Sequence, residues 1–159
     1  MIVVTTKSGE DTKELGAQLS TLVRPGDVLL LSGDLGSGKT TFAQGFGRGL
    51  GVADPIISPT FTLVRTYRGR LCLVHCDAYR LDRQAEVEDL GLAELLEDGA
   101  VGLVEWGEVV APTLPADYLE VRMEMGAGDD DRVMAMRPVG PSWSARAPAL
   151  EALLSRWAA

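Results

Sequence analysis

Asparagine is absent from this chain of 159 residues, histidine occurs once and cysteine twice. Without asparagine, the Asn-Lys-x-Asp signature by which common GTPases read guanine cannot be formed. Cys72, Cys76 and His75 are too few to complete a four-ligand zinc site. On a strand, the two cysteines would share one face about 13 Å apart, beyond disulfide reach. They are expected as small core residues in a reducing compartment. No run approaches ~20 apolar residues, so no helical membrane span is expected. The first residues, Met1-Ile2-Val3-Val4, lack the basic patch and cleavage site of a signal peptide. The expected location is the cytoplasm. Basic residues are scarce relative to acids, 15 against 23, for a formal charge of −8. That balance argues against a free-standing nucleic-acid binder.

What the chain does have is 46% apolar residues, in short runs separated by turn signals. Residues 2–5 read as a β-branched strand. Residues 8–14 start a helix that Leu15, Leu19 and Leu22 continue at helical spacing until Pro25-Gly26. Residues 28–31 form a continuous apolar run, suited to a strand buried on both faces of a parallel sheet. Helical spacing returns at Phe42, Phe46 and Leu50. Residues 56–67 pass from a proline-broken loop into strand-like sequence. Residues 71–76 and 101–104 read as further buried strands, and residues 85–96 as an acidic helical stretch interrupted by Gly91. Leu119, Val121, Met123 and Met125 alternate with charged residues, the period of a half-buried strand. A turn at 126–131 lets residues 133–136 return as the second arm of a hairpin. Residues 149–157 offer a short amphipathic helix on Leu150, Leu153, Leu154 and Trp157. The expected fold is α/β, mostly parallel with an antiparallel hairpin at one edge; with Gly33-Asp34-Leu35-Gly36-Ser37-Gly38-Lys39-Thr40 between a buried strand and a helix, it is a three-layer P-loop NTPase fold. Residues 1–140 would form the domain, and 141–159 a helical tail packed on it.

The chemistry concentrates in Gly33-Asp34-Leu35-Gly36-Ser37-Gly38-Lys39-Thr40, which fits the P-loop pattern G-x-x-x-x-G-K-[ST]. Its glycines let backbone N–H groups converge on phosphate oxygens, and the following helix adds its positive end. Lys39 reaches the β- and γ-phosphates, and the Thr40 hydroxyl ligates Mg²⁺. A second Mg²⁺ partner is expected at the end of a neighbouring strand. Asp77 and Glu105 both qualify, each following an apolar run. His75 reads first as a hydrogen-bonded core group and second as a proton shuttle. Arg80 is a candidate to neutralise transition-state charge, or to pair with a nearby acid such as Asp82. With the guanine signature absent, ATP is the expected nucleotide. From Phe61 to Arg83, five arginines (Arg65, Arg68, Arg70, Arg80, Arg83) face only two acids. That contrast reads either as a solvated face or as a docking surface for a phosphate-rich or acidic partner.

Four blocks then resemble one family, the bacterial TsaE (YjeE) proteins. They are the P-loop through Phe42, Ser58-Pro59-Thr60-Phe61-Thr62-Leu63-Val64, His75-Cys76-Asp77-Ala78-Tyr79-Arg80-Leu81, and Leu103-Val104-Glu105-Trp106. The resemblance implies a small ATPase required for threonylcarbamoyl modification of adenosine 37 in tRNA. It would act with the partners TsaD and TsaB to sustain their turnover, meeting tRNA indirectly through that complex. The resemblance also implies roles for residues. Thr40 and Glu105 hold Mg²⁺; Gly36, Ser37, Gly38, Lys39, Thr40 and Thr41 wrap the phosphates; Asp77 supports hydrolysis with Lys39. Trp106 shapes the site, and residues 58–61 form a switch-like loop. Ser8 and Thr12 belong to a segment expected against the adenine, and Arg132 matches an arginine close to the nucleotide. The acidic turn Asp129-Asp130-Asp131 is expected to compete for that arginine. Residues 139–159 match no motif of the family. A small-molecule kinase using the same loop, and a nucleotide-dependent binding module, are the alternative functions.

Overall fold

The computed structural model describes residues 1–34, 36–57, 64–77, 91–105 and 115–158. Seven strands form one sheet: β1 Ile2–Thr6, β2 Val28–Ser32, β3 Val64–Tyr67, β4 Leu73–Asp77, β5 Val101–Glu105, β6 Tyr118–Met125 and β7 Arg132–Val139. Their order across the sheet is β1-β7-β6-β2-β5-β4-β3. The helices among the described residues are α1 Gly9–Leu19, α2 Lys39–Gly49, α3 Leu92–Glu97, α4 Pro141–Ala145 and α5 Ala147–Leu153.

The central strand β2 is buried along Val28–Leu31, as its unbroken apolar run predicts. Its side chains alternate between two cores. Leu29 and Leu31 join Leu73, Leu103, Val121 and the inner faces of α1 and α2. Val28 and Leu30 join Val74, Cys76, Val104 and, from α3, Leu92 and Leu96. Helices therefore cover both faces of the sheet, which is the layering the alternation of helical and strand periods implied.

The sheet is mixed rather than mostly parallel. β2 runs parallel to β5 and β6, and β4 parallel to β5. β3–β4, β6–β7 and β1–β7 are antiparallel. The short link from Tyr67 to Leu73, which are register partners, leaves no room for a crossover helix, so β3 returns as a hairpin arm. The β6–β7 hairpin is likewise not at the edge, because β1 pairs with the far side of β7, Ile2 opposite Met136. Both outer strands are thus antiparallel.

Helices α1 and α2 pack at backbone contact. A Cβ added to Gly45 would fall 2.1 Å from the Lys13 carbonyl oxygen, so only glycine fits the crossing. With that close approach α2, the helix after the glycine-rich loop, places Phe42 and Phe46 in the core that Leu29 and Leu31 of β2 share.

The chain after β7 is more than one amphipathic helix. α4, α5 and a terminal 3₁₀ turn bury Trp143, Leu150, Leu154 and Trp157 in the same core as α1 and α2. Arg146, between α4 and α5, is 5% exposed and stacks on the Trp143 ring at 3.9 Å. Its guanidinium donates to both carboxylate oxygens of Asp27, to the carbonyls of Leu22 and Ser142, and to Ser142 Oγ. All five of its N–H groups are therefore engaged. Trp157 Nε1 donates to Asp11 Oδ1 at 2.9 Å, and Ala158 bridges to Val4 beside β1.

One expectation about the cysteines is corrected. β4 begins at Leu73, two residues later than the apolar run suggested, so Cys72 lies before the strand and is exposed. Cys76 is buried as expected. Burial, reinforced by the Asp77 and Glu105 carboxylates, pushes its thiol up to about 12.

Candidate functional site

The glycine-rich segment connects the C-terminal end of β2 to the start of α2, with Leu35 outside the described residues. Two of its glycines are required by geometry. Gly33 has φ +147°, and a Cβ there would sit 2.5 Å from the Met123 carbonyl oxygen and 2.6 Å from Ser37 Oγ. Gly38, at φ +101°, is the left-handed residue from which α2 begins, and no side chain caps that helix. An uncapped helix start presents backbone N–H groups and the positive end of the helix dipole to whatever anion lies in front of it.

Lys39 is 9% exposed, and its Nζ donates to the carbonyls of Gly33 at 2.6 Å and Asp34 at 3.3 Å. The loop is thus closed over its own lysine. Ser37 is 2% exposed, and its Oγ finds no hydrogen-bond partner among the described residues. A buried hydroxyl without a partner, backbone turns of positive φ at Gly33, Gly36 and Gly38 and an uncapped helix start fit an anionic group with several acceptor oxygens. Thr40 follows Lys39 in the first turn of α2 and is partly exposed.

The two acids proposed as metal partners come together. Asp77 and Glu105 are register neighbours at the C-terminal ends of β4 and β5, and Glu105 is also in register with Leu31 of β2. Glu105 is 4% exposed, whereas Asp77 is half-buried. His75 points to the same face and is fully buried. Its Nε2 lies 2.9 Å from Glu105 Oε2. The sequence names His75 and Glu105 separately, and their contact comes from the fold. The signal was available: both residues have the parity of the inward-facing positions on adjacent buried strands. Among the described residues no group of three or more His, Cys, Asp or Glu forms a metal cage.

The remaining sites divide. The start of α1 does reach the loop, since a Cβ at Gly9 would lie 3.8 Å from Thr41 Cγ2. Ser8, however, caps α1, its Oγ accepting from Asp11 N–H at 3.0 Å. Thr12 is turned inward, 1% exposed and 2.7 Å from Thr6 Oγ1. That bond ties the start of α1 to the end of β1. Arg132 arrives from β7, donating to the Gly36 carbonyl at 3.3 Å. It is held at the acidic turn by the backbone carbonyls of Asp129 and Asp131, both at 2.8 Å. The competition expected from carboxylates takes another form, because the Asp131 carboxylate accepts from Lys7 Nζ and from Gly128 N–H. In the arginine-rich stretch, Arg68 is exposed, but Arg70 donates to the Ser20 carbonyl across the fold and is structural. Residues 58–61, Arg80, Arg83 and Trp106 lie outside the described residues.

Comparison with known proteins now bears on this geometry. The family model for "Threonylcarbamoyl adenosine biosynthesis protein TsaE" matches residues 6–134. The chain belongs to the TsaE family. Among curated relatives of this TsaE-family chain, the tRNA threonylcarbamoyladenosine biosynthesis protein TsaE of Bacillus subtilis is 43% identical over 136 residues, covering 85% of this chain and 84% of that protein. The Streptomyces coelicolor protein of the same name is 41% identical over 139 residues, covering 83% and 93%. The crystal structure of Bacillus subtilis YdiB superposes with a TM-score of 0.77 at 36% identity, covering 98% of this chain and 97% of that one. Such coverage includes the tail after β7, which the family model does not reach.

Proposed function

We propose that this TsaE-family chain is a Mg²⁺-dependent P-loop ATPase of the P-loop NTPase fold, serving threonylcarbamoyl modification of adenosine 37 in tRNA with TsaD and TsaB. The pathway is supported by the family itself, whose relatives carry tRNA threonylcarbamoyladenosine biosynthesis in their names. The observation that carries the chemistry is the loop of Gly33, Gly38 and Lys39 standing next to paired acids at the ends of β4 and β5.

In this reading Gly36, Ser37, Gly38 and Thr41 cradle the phosphates of ATP through backbone N–H groups, and Ser37 Oγ gains the partner it lacks. Lys39 exchanges the Gly33 and Asp34 carbonyls for β- and γ-phosphate oxygens. Thr40 and Glu105 would hold Mg²⁺, which when bound neutralises phosphate charge. Asp77 orients the attacking water and accepts its proton. Arg132, already at the Gly36 carbonyl, adds positive charge beside the loop. No helix among the described residues is long and apolar enough to cross a membrane, and the site of action we assign is the cytoplasm.

The test is a reconstituted tRNA-modification assay with TsaD and TsaB. Lys39→Ala is expected to abolish ATP-dependent modification, and the chain alone to hydrolyse ATP weakly. Full modification by Lys39→Ala would remove the loop from the mechanism. Phosphate transfer to a metabolite without TsaD would establish the kinase alternative.

A further inference from the structure

We infer that His75 is a positioning residue for the metal site: its Nε2–H holds the Glu105 carboxylate in the orientation that receives Mg²⁺. The inference rests on the proposed role of Glu105 and extends it to a residue that touches neither nucleotide nor metal.

His75 and Glu105 occupy inward-facing positions of adjacent parallel strands, and His75 is in register with Leu103, two residues before Glu105. The imidazole therefore reaches along the sheet toward the strand ends. With Glu105 ionised, as a Mg²⁺ ligand is, the nitrogen 2.9 Å from Oε2 carries the hydrogen, because two lone pairs would repel. That tautomer leaves Nδ1 as a buried acceptor, and it has no partner among the described residues. An unpaired buried acceptor is a cost that an apolar side chain at position 75 would avoid. The compensating gain lies at Nε2.

What that bond supplies is direction. Glu105 carries three side-chain torsions and stands in register with a second acid, Asp77. A side chain with that freedom can turn away from the crevice. Binding Oε2 to His75 opposes that turn and leaves Oε1 for the cation. Ligating carboxylates are commonly held in this way by outer partners.

The experiment measures affinity for the fluorescent analogue N-methylanthraniloyl-ATP, with Mg²⁺ and with EDTA, on the full chain. For His75→Leu the Mg²⁺-dependent gain in affinity should fall about 10-fold or more, the usual effect of losing an outer partner. Affinity in EDTA should stay within about twofold, because the loop itself is intact. His75→Gln, whose amide nitrogen approximates Nε2, should recover most of the gain, and His75→Asn, whose amide is too short, should not. An unchanged gain in His75→Leu overturns the inference, as does an equal loss with and without Mg²⁺. If His75→Leu fails to fold, the Gln and Asn variants decide: a gain kept in Gln and lost in Asn supports the inference, and equal behaviour overturns it. Glu105→Gln separates the two levels. If it abolishes the Mg²⁺ gain while the His75 variants do not, only the positioning role fails. If it leaves the gain intact, the metal assignment fails and the role of His75 with it.

Discussion

Replacing Arg146 by methionine isolates the energetics of the chain beyond β7. The substitution keeps much of the side-chain volume but removes a cation that is 5% exposed and bonded at all five N–H groups. Asp27, whose side chain is 12% exposed, would be left with the Arg24 N–H as its remaining partner. The Leu22 carbonyl would lose its donor, and the Trp143 face its stacked guanidinium. Breaking a buried ion pair from one side costs about 3–5 kcal/mol. For a chain of this size that lowers the melting temperature by roughly 6–20 °C. Urea unfolding followed by tryptophan fluorescence reads the change directly. Arg146→Lys keeps the charge without the fork and should fall between the two. Combining Asp27→Asn with Arg146→Met should cost less than the sum of the single changes, since neither partner is then left charged and alone. A loss under about 1 kcal/mol for Arg146→Met would refute the reasoning, because that is the range of solvent-exposed pairs.

Gly33→Ala should weaken both the fold and nucleotide binding. The new Cβ would press on the Met123 carbonyl of β6 at 2.5 Å in a backbone conformation that costs about 1–3 kcal/mol for any other residue. Calorimetric unfolding together with ATP-analogue affinity checks it, and wild-type values in both would show that the loop has room to move. Iodoacetamide at pH 9 should label the native chain once, at the exposed Cys72, and twice after denaturation. The sign follows from the raised Cys76 value: its thiol stays protonated in the fold from about 9 to about 12, while the unfolded thiol ionises. The stability this contributes is complete below about pH 9 and is lost as pH rises toward 12. Rapid double labelling of folded chain at pH 9 would contradict it.

The contrast between what periodicity revealed and what it hid has a physical basis. The glycine loop, the strand before it and the helix after it are local, so their residue types state their conformation outright. Buried strands at β2, β4 and β5 announced themselves as apolar runs, and β6 by its alternation. Partners did not. Nothing in residues 2–6 says that β1 will pair with β7, nor that β3 will run antiparallel to β4, so the sheet read as mostly parallel when it is mixed. The Arg146–Asp27 pair joins residues far apart in sequence, and no spacing rule reaches it; strand parity puts His75 and Glu105 on inward faces, but not which strands are neighbours. Thr12 adds a case of the same kind, since its buried bond to Thr6 joins β1 to α1 and no short local likeness announces it.

The placement of β1 also sets an order of events during synthesis. Made before β7, it has no ladder partner among the described residues until β7 has left the ribosome, because Ile2 through Thr6 pair with Met136 back to Arg132 and the one further bridge, Val4 to Ala158, forms later still. Its β-branched, half-exposed sequence must wait meanwhile with one edge after another unprotected. Contacts so distant in sequence make the closing step slow relative to the local packing of α1 on α2. The loop and its two acids are thus made before the strand that pairs with β1, and a late strand completes the register of an early one.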